Sequence, residues 1–80
     1  MQLLVQFATS GYDAWKADFD AHYEDIGASG LSVMQIWHNA DDPNGALVLF
    51  EVHDRAKAQT WIRNQTALHG GVTATFLRTA

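Results

Sequence analysis

LSVMQIWHNADDPNGALVLFEVH, Leu31 to His53, reads as two strands joined by a turn. Leu31 to Trp37 and Ala46 to Val52 are rich in β-branched, aromatic and long aliphatic residues, which fit a pleated, half-buried surface. Between them, Asp42-Pro43-Asn44-Gly45 has the order of a type I turn. Asp comes first, Pro sits second where φ is pre-set, and Gly comes last. A regular pairing from this turn sets Val33, Trp37, Val48, Phe50 and Val52 on one face. Met34, Ile36, His38, Leu47, Leu49 and Glu51 fall on the other. Trp37 lies close enough to the hairpin end to flare outward.

Upstream, Gln2 to Thr9 alternates, with Leu3, Val5 and Phe7 on one face, and reads as a strand. Ser10 is placed to cap a helix, with Asp13 in its first turn. From Tyr12 to Ile26 the period changes. Trp15, Phe19, His22 and Ile26 form one stripe of an amphipathic helix facing the sheet. Gly27 is expected to end it as a left-handed C′ residue. Downstream, Asp54 caps a second helix, Arg55 to Leu68, whose stripe is Ala58, Trp61, Ile62, Gln65 and Leu68. His69 is expected to place favourable charge at that helix's C-terminus. Val72 to Leu77 forms the last strand. The order is β-α-β-β-α-β within one domain, residues 1–80. The expected fold is α+β and ferredoxin-like, a four-stranded antiparallel sheet with two helices on one face.

The composition narrows the partners. The chain has 80 residues, 48% of them hydrophobic, and a net charge of −4. Its five basic residues, Lys16, Arg55, Lys57, Arg63 and Arg78, are scattered. A nucleic-acid or anionic-membrane surface needs a clustered basic footprint, so neither partner is expected. There is no cysteine, which fits a reducing, cytoplasmic setting. The N-terminal stretch has neither a basic n-region nor a long apolar run, so no signal peptide or membrane span is expected. The second sheet face, with Leu4, Met34, Ile36, Leu47, Leu49 and Leu77, is too apolar to leave in water. A second copy is the expected cover, closing a homodimer.

The element order, the Tyr12-Asp13-Ala14-Trp15-Lys16 helix opening, and His38-Asn39-Ala40-Asp41-Asp42-Pro43-Asn44 leading into Leu47-Val48-Leu49-Phe50-Glu51-Val52 resemble the dimeric α/β-barrel superfamily. The nearest resemblance is to small bacterial members of the antibiotic-biosynthesis-monooxygenase-like branch. It spans nearly the whole chain. It implies that two sheets face each other in a dimer, with a pocket between each sheet and its own helices. Activities in that superfamily include cofactor-free oxygenation, cyclisation and isomerisation, so the fold alone chooses no reaction. The Asn, Trp and Tyr set of the oxygenase branch has no positional match in this chain.

Among single residues, His22 is the candidate catalytic group. An imidazole in an aromatic stripe beside a pocket suits a general base. The alternative is a core or rim histidine bonded to a backbone carbonyl. Trp15, Phe19, His22, Phe50 and Trp61 are the candidate ligand-binding set; equally, the aromatics are core. No metal site and no cofactor are expected. His38 and His53 lie about six residues apart along the hairpin, or about 20 Å, too far to share an ion. Asp41 and Asp42 are explained by turn chemistry. Glu51, among leucines, must sit at the dimer edge or find a partner in Gln6, Thr73, Thr75 or a group of the other subunit; the alternative is a general acid or base. The expected function is binding of a small apolar or aromatic molecule, with monooxygenase-, cyclase- or isomerase-type chemistry if the protein is an enzyme. The alternative is a non-catalytic dimeric binding or assembly module.

Overall fold

The structure, a computed structural model, describes residues 1–68 and 70–80. His69 and the charge expected there lie outside the described residues. The elements are β1 (Gln2–Ala8), α1 (Tyr12–Ala21), α2 (Tyr23–Ala28), β2 (Leu31–His38), β3 (Gly45–Val52), α3 (Arg55–Leu68) and β4 (Val72–Leu77). The four strands form one antiparallel sheet in the order β2-β3-β1-β4. Strand β3 therefore lies between β1 and β2, and β1 between β3 and β4. This is an α+β architecture compatible with the split β-α-β arrangement.

The hairpin turn forms as its residues dictate. Gly45 N–H donates to the Asp42 carbonyl at 3.1 Å, and Asn44 N–H to Asp42 Oδ1 at 2.9 Å. Asp54 caps α3, its carboxylate accepting from Lys57 N–H at 3.1 Å. Leu3, Val5, Phe7, Leu31, Ala46, Val48 and Phe50 are buried on one sheet face. Phe19, Ile26, Ala58 and Trp61 pack on them from the helices. Full burial of each large apolar side chain contributes about 1.5–3 kcal/mol. Leu68, expected in the apolar stripe of α3, is 74% exposed.

Strand β2 departs from regular alternation. Val33 pairs with Phe50, but Gln35 pairs with Leu49, so Met34 is an extra residue in a β-bulge. Beyond it the parity reverses. Ile36 pairs with Val48 and packs on the core. His38 pairs with Ala46 and stacks on Tyr12, ring centroids 5.1 Å apart. Trp37 pairs with Leu47 on the opposite face and is 45% exposed. Ile36 and His38 thus belong to the helix side and Trp37 to the open side, the reverse of the regular assignment. The open face carries Leu4, Leu47 and Leu49 at its centre, half-buried, and Met34, Trp37 and Leu77 around them, exposed. Glu51 on this face accepts from Gln2 Nε2 at 2.9 Å, its cross-strand neighbour rather than Gln6 or a β4 threonine.

The expected single helix from Tyr12 to Ile26 is two helices, making three among the described residues. The break is at His22, with φ −105° and ψ 18°. In a continuous helix, His22 N–H would donate to the Asp18 carbonyl. Instead it donates to Phe19 at 3.2 Å, and the Asp18 carbonyl accepts from the His22 imidazole at 2.8 Å. Side-chain competition for a helix carbonyl accounts for the break. Helix α2 runs through Gly27. The left-handed position is Gly30, φ 71°, and not Gly27. Ser10 makes no cap; Gly11 stands at that position, its N–H donating to Thr9 Oγ1 at 3.2 Å.

Candidate functional site

An unbroken chain of aromatic rings crosses the helix–sheet layer. Phe7 and Trp15 lie 5.2 Å apart by ring centroids, Trp15 and Phe19 5.0 Å, Phe19 and Phe50 6.4 Å, and Phe50 and Trp61 5.4 Å edge-on. The spacing suits offset or edge contacts, which add about 0.5–1.5 kcal/mol per pair beyond burial. Four sources build it: β1 supplies Phe7, α1 Trp15 and Phe19, β3 Phe50, and α3 Trp61.

The layer is not completely filled. A recess of about 90 Å³ is left where α1, α2 and α3 converge. Its walls are Phe7, Trp15, Phe19, Ile26 and Trp61, with Asp18, His22, Gln65 and Leu68 also bordering it. Of the expected ligand-binding residues, Trp15, Phe19, His22 and Trp61 meet here. Phe50 does not. It is fully buried beneath Phe19 and Trp61 and supports the recess from the core.

His22 is not in the core stripe. Its side chain is 60% exposed, because the helix break lifts it off the sheet. Its environment is nevertheless specific. A carbonyl oxygen only accepts, so the 2.8 Å contact with the Asp18 carbonyl makes Nδ1 the N–H nitrogen. In the neutral ring, Nε2 then carries the lone pair and is the basic atom. The Asp18 carboxylate stands 3.6 Å from Nδ1. The imidazole pKa is raised, first by the backbone hydrogen bond to Asp18, then by the Asp18 charge, with a smaller push from Asp25. Slight desolvation opposes them.

Asp18 is the site residue that stripe reasoning misses. It lies off the apolar face, yet a visible signal was its position four residues before His22, the spacing at which helical side chains meet. Phe7 and Gln65 also border the recess, and only their places near the end of β1 and on α3 bring them there. His38 and His53 are separated, the first against Tyr12 and the second with Nε2 2.8 Å from Ser32 Oγ. Among the described residues, no three His, Asp or Glu side chains are placed to hold a metal ion, and no helix is long and apolar enough to cross a membrane. No protein-family model matches the sequence, and comparison with curated proteins finds no significant match.

Proposed function

We propose that this chain is a ferredoxin-like subunit of a homodimeric α/β barrel that binds a small aromatic molecule at the recess between helices and sheet. His22 serves there as a cofactor-free general base in the cytoplasm. The observation that carries the reading is an imidazole with a defined basic nitrogen bordering an aromatic-walled recess. Nε2 takes a proton from a hydroxyl or an activated C–H of the bound molecule. The resulting imidazolium is favoured by the Asp18 carbonyl and carboxylate on its other nitrogen. Proton abstraction of this kind is shared by cyclase, isomerase and cofactor-free oxygenase chemistry.

The dimer rests on the open sheet face. Leu4, Leu47 and Leu49 form its centre, and Trp37, turned outward by the bulge, is suited to anchor a partner. The expected outcome of Leu49→Arg is loss of the dimer in sedimentation at micromolar concentration, because a charge would be buried unpaired. A wild-type chain that sediments as a monomer under those conditions refutes the barrel.

For the site, His22→Phe should abolish turnover, or weaken ligand binding, while leaving the fold intact. Unchanged activity removes His22 from the mechanism. A second reading, a non-catalytic dimeric module, is favoured by the filling of the cleft. Phe19, Phe50 and Trp61 are buried within it, and the remaining volume of about 90 Å³ lies below the usual ligand range of about 300–1,000 Å³. Titration with phenol, followed through the indole N–H resonances of Trp15 and Trp61, separates the two. No shift at saturating phenol, with the dimer intact, selects the assembly module.

A further inference from the structure

A second hollow lies directly beside the recess. It has about 230 Å³ and is bounded by Ala8, Thr9, Ser10 and Ala14. The two hollows share Phe7, Trp15 and Asp18. Neither alone reaches about 300 Å³, the lower end of the range for ligand pockets. Trp15 is the largest of the side chains common to both. Unlike Phe19 and Trp61 it is only half-buried. Its indole is bounded by the rings of Phe7, Tyr12 and Phe19, at 5.2, 5.7 and 5.0 Å between centroids.

We infer that Trp15 is a movable partition between two halves of one ligand slot, and that the slot takes a fused bicyclic aromatic bearing a hydroxyl group. The inference rests on the reading of the recess as a ligand site. When the indole swings outward the two hollows join, and the vacated space is walled by three aromatic rings. A flat ring entering it restores the edge and offset contacts the indole gives up; an aliphatic chain does not. A single ring fits one hollow without moving the partition, whereas two fused rings require it to move. Asp18 borders both halves, so its carboxylate can accept a hydroxyl hydrogen bond from either side. The closed partition taxes the larger ligand. Its apparent affinity falls by the fraction of molecules in which the slot is open.

The test uses two probes, phenol and 2-naphthol, against the wild-type chain, Trp15→Ala and Trp15→Phe, with the Trp61 indole N–H resonance as reporter. In the wild type, 2-naphthol should move the Trp15 indole resonance far more than phenol does. In Trp15→Ala, 2-naphthol should bind roughly tenfold tighter, the gain expected if the slot is open in about a tenth of wild-type molecules. Phenol, which does not need the partition to move, should stay within about threefold. Trp15→Phe, a smaller partition that keeps an aromatic ring, should fall between and serves as the sole comparison if Trp15→Ala does not fold. A ratio of phenol to 2-naphthol affinity unchanged in the folded variants overturns the partition while leaving the recess a ligand site. Failure of both probes to bind any of the three chains overturns the ligand reading and the partition with it.

Discussion

Removing one residue from the middle of a strand reverses the facing of every residue beyond it, and is normally ruinous. At Met34 the opposite is expected. Met34 is the extra residue of the bulge, so its deletion joins Val33 directly to Gln35 and restores alternation. Val33 then faces the core, Gln35 the open side, Ile36 the core and Trp37 the open side, as they already do. What is lost is the packing of a side chain that is 52% exposed. Full burial of such a side chain contributes about 1.5–3 kcal/mol, so the deletion should cost about 1 kcal/mol. For a domain of this length that lowers the melting temperature by about 4–8 °C. Without the bulge, Trp37 would face the core and His38 the open side, and deletion would instead expose Trp37 and bury His38. That combination costs about 1.5–3 kcal/mol for the apolar group and about 1–3 kcal/mol for the polar one. Together they approach the whole stability of an 80-residue chain, on the order of 4–12 kcal/mol. Thermal melts followed by far-UV circular dichroism, with Trp37 emission as a check on exposure, distinguish the two. Near-complete unfolding of the Met34 deletion, or a red shift of tryptophan emission relative to wild type, refutes the bulged register.

Three further outcomes are expected. The folded-state pKa of His22 is raised, so its stabilising contribution is fully present below the ordinary histidine value of about 6.5 and is lost as pH rises through the folded value. His22→Gln should therefore destabilise more at pH 5 than at pH 8, and equal effects in denaturant titrations at both would contradict the Asp18 pairing. Asp54→Ala removes the acceptor for Lys57 N–H and should cost about 1 kcal/mol, read as a lower urea midpoint with an unchanged slope. Gly30→Ala should cost about 1–3 kcal/mol, because φ is 71° there and the new Cβ would stand 2.7 Å from Asp54 Cβ; a variant as stable as wild type in the same titration would place that backbone elsewhere.

Strands β1, β3 and β4, the Asp42–Gly45 turn and the Asp54 cap are legible in the sequence because each depends on neighbours within a few residues. The bulge is not marked by a glycine or a proline. Regular alternation, counted forward from Leu31 or back from the turn, puts Ile36 outward. Only the observed pairing of His38 with Ala46 rather than Leu47 requires an inserted residue. The break at His22 hides for a different reason. The apolar period runs straight through it, from Trp15 and Phe19 to Ile26, while the cause is one imidazole competing for a carbonyl. That competition moved the principal candidate of the site from the core to the rim. The aromatic set was recoverable from helical spacing, but Phe50 is a foundation and Asp18 a neighbour, a distinction that depends on which side of the layer stays open.

Strands β2 and β4 are the two margins of the sheet. Open-ended ribbon growth, in which molecule after molecule adds strand to strand, requires both margins to accept a newcomer. The bulge interrupts the regular ladder along β2 and so spoils that side as a template. Any edge-wise addition is confined to β4, and two molecules joined there present only their spoiled margins outward. A single unpaired methionine thus acts as a terminator of fibre growth, and straightening β2 by deleting it should raise the tendency to aggregate even where it leaves the fold nearly as stable.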